Sequence, residues 1–282
     1  MKHLARRVPR RLRHLLLAPS HEVRGWLAAL SYRVLGPTTV TIRPGWTVRC
    51  HPRTATVFEE TRTLPALIRE LDRFIETCRP GMHVLDVGAH YGVFTLAALH
   101  YGGPTTRVVA VDPSPATMAL LATNLDLNGV RDRVTLVPSA LSANAGGIET
   151  LTTGATQHFQ MVPTAPGRPD AQRVPATTVD QLAESHGAFT HIKIDVEGHE
   201  LSVLQGGSTS IPASRPFLAL ELHNDILTTH GTSGAPILQT LADWGYTWVA
   251  DDDEGRTVAG NDVLPLWVAR MTCRPSRAPE SI

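Results

Sequence analysis

The chain has 282 residues, 42% of them hydrophobic, with 26 basic and 26 acidic side chains that cancel. That length suits one large α/β domain plus an extension. No run reaches the length of a membrane span, and Cys50, Cys78 and Cys273, with no CxxC pair, exclude a disulfide framework and argue against a zinc site. A cytoplasmic protein is the expectation.

Charge is unevenly placed. Residues 1–33 hold eight basic side chains against Glu22 alone, a net of +7, which leaves −7 for the rest. An acidic body argues against nucleic acid as partner, because phosphate binding wants an extended basic surface. In the basic arm, Leu4, Val8, Leu12, Leu15 and Leu16 fall near helical spacing. Two readings stay open: a helix packed on the body with a solvated basic face, or an amphipathic helix making membrane-surface contact with anionic lipid. Leu15 to Ala18 is too short for a signal-peptide core.

Thr38 to Cys50 reads as a hairpin turning at Pro44-Gly45. Leu64, Leu67, Ile68, Leu71, Phe74 and Ile75 then give the apolar stripe of a helix. This helix is expected to cover the domain edge without taking part in chemistry. Together these elements make an N-terminal extension, residues 1–79.

From residue 80 the pattern changes. Val84-Leu85-Asp86-Val87 is a buried strand, Gly88 to Gly92 a glycine turn, and Val93 to Leu99 the start of a helix. Strands are predicted again at 107–112, 134–137, 192–196 and 217–222, separated by helices at 116–128, 178–186 and 200–205. A helix at 236–244 precedes a closing antiparallel pair, 247–250 and 264–269. Residues 143–176, rich in Gly, Pro and Thr, read as a long irregular stretch with a weak strand near Glu149 to Leu151. The fold class is α/β: a Rossmann-like, seven-stranded, mostly parallel sheet with helices on both faces over residues 80–272. Residues 273–282 are expected to be a disordered tail.

The glycine turn narrows the ligand. A dinucleotide fingerprint GxGxxG would need glycines at His90 and Val93, and a phosphate loop would need one at Val93 followed by lysine. Both fail. What remains is Asp86-x-Gly88-x-x-x-Gly92, with an acid before the turn and no basic residue in it. Asp112 ends the second strand about 20 residues beyond the glycines, the place of a ribose-binding acid. A ribose, no phosphate and a cationic group describe S-adenosylmethionine.

Val84 to Thr95, Ala110 to Pro113 and especially Ile192-Lys193-Ile194-Asp195-Val196-Glu197-Gly198-His199-Glu200 resemble the FkbM family of class I methyltransferases. Val174 to Asp180, Val203 to Gly207, Arg215-Pro216 and Glu221-Leu222-His223 are similar to its pattern too, so the resemblance covers about residues 80–225. His90 departs, standing where the family more often has Asn. The resemblance implies S-adenosylmethionine as methyl donor and, as acceptor, a hydroxyl on a sugar, polyketide or related small metabolite. Two alternatives are carried: a nicotinamide-dependent oxidoreductase, disfavoured by the glycine spacing, and a non-enzymatic membrane- or partner-binding module with a vestigial pocket.

Ligands in such sheets lie beyond the C-terminal strand ends. Asp86, Gly88, His90, Gly92 and Asp112 are therefore the cofactor-binding candidates. The alternative for Asp86 is a hydrogen bond to the following turn. Lys193, Asp195 and Glu197 share parity, and charges inside a strand are costly unless paired or functional. Lys193 and Asp195 are candidate catalytic residues, with a structural Lys193–Asp195 pair as the alternative. His223 has a suitable ordinary pKa for a general base. Glu197, His199 and Glu221 are candidate acceptor contacts. No metal site is expected from spacing, although Asp195, Glu197, Glu221 and His223 offer the ligand types of a divalent cation.

Overall fold

The computed structural model describes residues 36–146, 148–153, 159–161, 171–252, 254 and 256–276. The expectations for the basic arm and for the final six residues lie outside the described residues. The first hairpin forms as read: β1 (Thr38–Arg43) pairs antiparallel with β2 (Trp46–Cys50) around Gly45, whose φ of +81° suits the turn. Trp46, Val48 and Cys50 point inward and Thr47 and Arg49 outward, the alternation that fixes the strand's register. Helices α1 (Ala55–Glu60) and α2 (Pro65–Thr77) follow.

The main sheet starts with β3 (His83–Val87), crosses through α3 (Val93–Tyr101) to β4 (Arg107–Val111), and through α4 (Pro115–Leu127) to β5 (Val134–Val137). Pro115 opens α4 and the Ser114 hydroxyl accepts from Thr117 N at 3.2 Å, a cap with its proline at the tolerated position. The chain then builds a second, four-stranded sheet from β6 (Ala140–Leu141), β7 (Ile148–Thr153), β8 (Phe159–Met161) and β9 (Ala171–Thr177), in the order β6-β9-β7-β8. The weak strand expected near Glu149 to Leu151 forms as β7, and the rest of the irregular stretch expected over 143–176 is corrected by β8 and β9. Gly and Pro between the strands masked those two.

The chain returns to the main sheet through α5 (Val179–His186) and β10 (His191–Ile194). It continues through α6 (Glu200–Gln205) and α7 (Ser210–Ser214) to β11 (Phe217–His223), then α8 (Asn224–Thr229) and α9 (Ala235–Asp243). Three antiparallel strands close it: β12 (Tyr246–Asp251), β13 (Thr257–Ala259) and β14 (Val268–Pro275). The order is β13-β12-β14-β11-β10-β3-β4-β5, eight strands rather than seven. The closing strand expected at 264–269 starts later, at Val268. Pro265 cannot donate to a ladder, and Trp267 is 76% exposed. The domain end placed at 272 falls inside β14, where Cys273 is fully buried.

Alternate residues of the parallel strands feed two cores. Leu85, Val109, Ile192, Ile194 and Leu218 pack with Leu182, Val203, Leu204 and Leu241 of α5, α6 and α9. Val84, Val108 and Ala110 pack with Leu96 and Leu121 of α3 and α4 and with Phe58, Phe74 and the hairpin. Burying each such large side chain is worth about 1.5–3 kcal/mol. The extension from residue 36 is thus part of the core on that face. From β3 the chain steps one way to β4 and β5, and later the other way to β10 and β11. The reversal opens a crevice beyond the ends of β3 and β10, where ligands bind in open α/β sheets.

Candidate active site

A cavity of about 1010 Å³ fills this crevice. Asp86, Gly88, His90, Asp112, Lys193, Asp195, Glu197, His199, Glu221 and His223 all line it. Of the sequence candidates, Gly92 alone is not in its wall. Its φ is +92° and a Cβ there would meet Leu121 Cδ1 at 2.5 Å, so it serves the turn and its packing.

On the β3–β4 side, Gly88 N and Ala89 N both donate to Val111 O, which ties the turn to the end of β4. Asp112 is 7% exposed, and its carboxylate accepts from Ser114 N at 2.9 Å and His90 N at 3.2 Å. Burial outweighs these two hydrogen bonds and pushes its pKa up to about 6. A buried carboxylate facing a cavity beside a glycine turn fits the two hydroxyls of a ribose. Asp86 is 1% exposed and accepts from Thr95 Oγ1 at 2.5 Å. The structural alternative for Asp86 is therefore present, reaching into the first turn of α3, while the residue also lines the cavity.

Across the crevice Lys193 is 1% exposed, and its Nζ donates to Glu70 Oε1 at 2.5 Å and to Glu221 Oε1 at 3.0 Å. It also lies 4.6 Å from the centre of the Phe94 ring. Arg270, directly opposite Glu221 on β14, lies 3.7 Å from each of the two carboxylates. The alternative of a structural Lys193–Asp195 pair does not form: the close partners are Glu70 and Glu221. Burial alone would lower the Lys193 pKa, but the charges of Glu221, Glu70 and Asp195 overcome it and hold the ammonium well above its ordinary range. Of the two roles open to Lys193 as a catalytic candidate, polariser or base, its ion pairs and raised pKa argue against the base. Lys193 and Arg270 likewise overcome burial to hold Glu221 below the carboxylate range. Burial and the charge of Glu221 push Glu70 up to about 7, while the Lys193 ammonium is shared between the two carboxylates.

The third group lies past β10. Asp195, Glu197 and His223 bring one ligand-type atom each to within 4.8 Å of one another. His223 Nε2 is 3.7 Å from Asp195 Oδ1 and 3.8 Å from Glu197 Oε2. Its Nδ1 donates to Glu200 Oε1 at 2.7 Å, and Gly198 N donates to the same oxygen at 3.0 Å. Burial would lower the His223 pKa, but the Glu200 hydrogen bond and the charges of Asp195, Glu200 and Glu221 lift it to about 10. That direction favours a proton on the ring in the cation-free cavity and argues against His223 as a general base. Burial and Glu221 also push the Asp195 carboxyl well above its ordinary value. Glu221 is not part of this group, since Lys193 and Arg270 hold it. His199 lies in the wall just before α6.

Four residues escaped the sequence reading: Glu70, Thr95, Glu200 and Arg270. Glu70 had a signal. It stands three residues after Leu67 and four before Phe74, an acid in the middle of an apolar stripe. Arg270 is a charge on a strand whose neighbours Ala269 and Met271 are buried.

The model of the FkbM methyltransferase domain matches residues 86–247, more than half of the chain. The chain belongs to the FkbM methyltransferase family. Membership of that family implies S-adenosylmethionine as the methyl donor and argues against the oxidoreductase reading. Two curated relatives match over shorter stretches. The ribosomal protein L11 methyltransferase of Geobacter sp. is 39% identical over 66 residues, 23% of this chain and 21% of that protein. That of Geobacillus kaustophilus is 36% identical over 76 residues, 27% of this chain and 24% of that protein. The matches thus span about a quarter or less of the curated relatives. Among solved structures, the FkbM methyltransferase of Methylobacillus flagellatus is 18% identical, covers 71% of this chain and 51% of its own, and has a TM-score of 0.42. The precorrin-6y C5,15-methyltransferase of Geobacter metallireducens is 15% identical, covers 74% and 88%, and has a TM-score of 0.43. Among the described residues no helix is long and apolar enough to cross a membrane.

Proposed function

We propose that this enzyme methylates a hydroxyl group on a small metabolite such as a sugar or polyketide. The observation that carries the reading is one cavity of about 1010 Å³ with two chemically different ends. Pockets for single drug-sized ligands run to about 300–1,000 Å³, so this one has room for donor and acceptor together. Thr56, Val57 and Leu67 of α1, α2 and the stretch between them line it as well, a wall supplied by the extension.

Adenosylmethionine supplies an electrophilic methyl on a sulfonium. The chain's part is alignment and removal of the acceptor proton. Asp112 holds the ribose hydroxyls, and Gly88 and His90 let the ligand approach the turn's backbone. Asp86 sets the negative field near the cationic end of the donor. The acceptor hydroxyl lies at the end formed by Asp195, Glu197, His199 and His223. In the cation-free cavity Lys193 and His223 carry protons, so the neighbouring carboxylates are the groups with lone pairs for the acceptor's proton. Glu70, Glu221 and Arg270 fix Lys193 and through it the floor of that end.

The test is transfer of labelled methyl from adenosylmethionine into a fractionated pool of sugars, polyketides and other hydroxyl-bearing metabolites, followed by mass spectrometry. Label in a hydroxyl-derived methyl ether is the expected outcome. Label found only in protein or RNA overturns the small-metabolite reading.

A further inference from the structure

We propose that Asp195, Glu197 and His223 form a binding site for a divalent cation of the manganese or magnesium class, on the acceptor side of the cavity. Their ligand-type atoms lie within 4.8 Å of one another, and His223 Nε2 is 3.7 and 3.8 Å from the two carboxylates. Metal bonds of about 2.0–2.6 Å put neighbouring ligands about 3–4 Å apart. Small rotations of two carboxylates close the remaining gap. Two carboxylates and one imidazole are hard to intermediate ligands, suited to manganese or magnesium rather than to a thiolate-seeking metal.

A second observation points the same way. Glu200, fully buried, stands behind the ring and takes the His223 Nδ1 hydrogen through Oε1 at 2.7 Å. That contact orients the ring and aims Nε2 at the two carboxylates. Metal-bound histidines are held by such a carboxylate on the other ring nitrogen, which also raises their basicity. The second oxygen of Glu200, Oε2, is buried with no hydrogen-bond partner among the described residues. Glu200 is thus committed to His223 and to Gly198 N through its other oxygen.

The group is open to ligand. The Asp195 side chain is 32% exposed and that of Glu197 19%, and all three residues line the cavity. Glu221, the fourth carboxylate nearby, is held by Lys193 and Arg270 and stays out of the set. Glu70 on α2 and Asp86 on β3 face Lys193 and the Thr95 hydroxyl rather than this point. The cation keeps its other positions for water or for an oxygen of the acceptor, whose hydroxyl it would acidify. That last role rests on the proposed hydroxyl acceptor, but the binding site does not.

The test uses manganese chloride alone, with no adenosylmethionine and no acceptor, so its result is independent of methyl transfer. Titration calorimetry and the loss of the free-ion electron paramagnetic resonance signal should show one saturable site on the full chain. Glu197→Gln and Asp195→Asn, each checked for an unchanged thermal melt, should weaken binding at least about tenfold. Glu197 lies on a partly exposed turn, so its variant keeps the test interpretable if Asp195→Asn fails to fold. No saturable binding at millimolar manganese, or equal binding by the native chain and Glu197→Gln, overturns the site and leaves a protonated His223 as the only positive charge there.

Discussion

Lys193 and Glu70, separated by 123 residues in sequence, meet at 2.5 Å beneath the cavity. The contact joins the helix that precedes the methyltransferase core to a central strand of its sheet. Both groups are nearly out of solvent, at 1% and 6% side-chain exposure, so each depends on the other for its charge balance. The extension is therefore part of the active-site wall, although its stripe reads as a simple cover.

Removing one member of a buried ion network costs more than the network is worth, because the other charge stays behind. Lys193→Met leaves Glu70 and Glu221 facing each other, and should destabilise the protein by about 3–5 kcal/mol in urea unfolding. Glu70→Gln should cost less, because Glu221 remains to balance Lys193 and the amide oxygen can still accept from its Nζ. Equal losses for the two variants would mean that Glu221 alone does not balance Lys193.

Gly88 tests the join between the first turn and β10. Its φ is +78°, and a Cβ there would lie 1.8 Å from the carbonyl oxygen of Asp195. Gly103 has a similar φ, +75°, with nothing within 4 Å. Gly103→Ala therefore bears the strain alone, about 1–2 kcal/mol. Gly88→Ala adds a backbone collision, and should cost about 2–5 kcal/mol and displace Asp195. Thermal melts of the two variants separate these terms. Similar shifts would mean that the β10 end yields freely.

How much of this was legible follows from where the signals lie. The β3 strand, the glycine turn and the Ile192 to Glu200 block are local, and their spacing is enough to exclude phosphate ligands and to suggest the family. The partners of Lys193 are not local. Parity placed Asp195 on its side, yet the strand ends at Ile194 and the turn beyond it carries Glu197 at φ +51° and Gly198 at +91°. Asp195 is thereby carried to His223, and Lys193 is left to Glu70. His223 had the sequence of a base but not its surroundings: Glu200, which reads as a helix start, is the buried carboxylate that holds the proton on the ring. Of the second sheet only β7 was legible, as a weak strand; the glycines and prolines between the others hid them.

His90 holds a left-handed backbone, φ +46°, and through its N–H the carboxylate of Asp112. Asn and His tolerate that region better than β-branched residues. His90→Asn should therefore keep cofactor affinity within about twofold. His90→Val should cost about 1–3 kcal/mol in stability and weaken cofactor binding along with it. Calorimetry with adenosylhomocysteine reads the affinities. A strong loss in His90→Asn would assign the contact to the imidazole itself rather than to the backbone.

Asp112 gives the pH dependence its sign. Burial raises its native pKa to about 6, above the unfolded value of about 3.9. Between those values the native state binds the extra proton, so this group stabilises the cofactor-free protein as pH falls through 6 and costs stability above it. The full effect is at most about 3 kcal/mol. Asp112→Asn removes the cost, but one oxygen that accepts from Ser114 N or His90 N becomes an amide that cannot. The cofactor-free variant should gain about 1–2 kcal/mol at pH 8 and nothing at pH 4. Ribose binding needs the carboxylate, whose charge-assisted hydrogen bonds are worth about 1.5–3 kcal/mol. Affinity for adenosylhomocysteine should therefore drop about 10- to 100-fold in Asp112→Asn. In the native chain it should weaken about tenfold per pH unit below 6, and in the variant it should stay flat there. Melts and calorimetry across pH 4 to 8 measure both. A variant that binds as the native chain does at pH 7.5 would remove Asp112 from the ribose site, and one that gains no stability would mean its carboxylate is solvated.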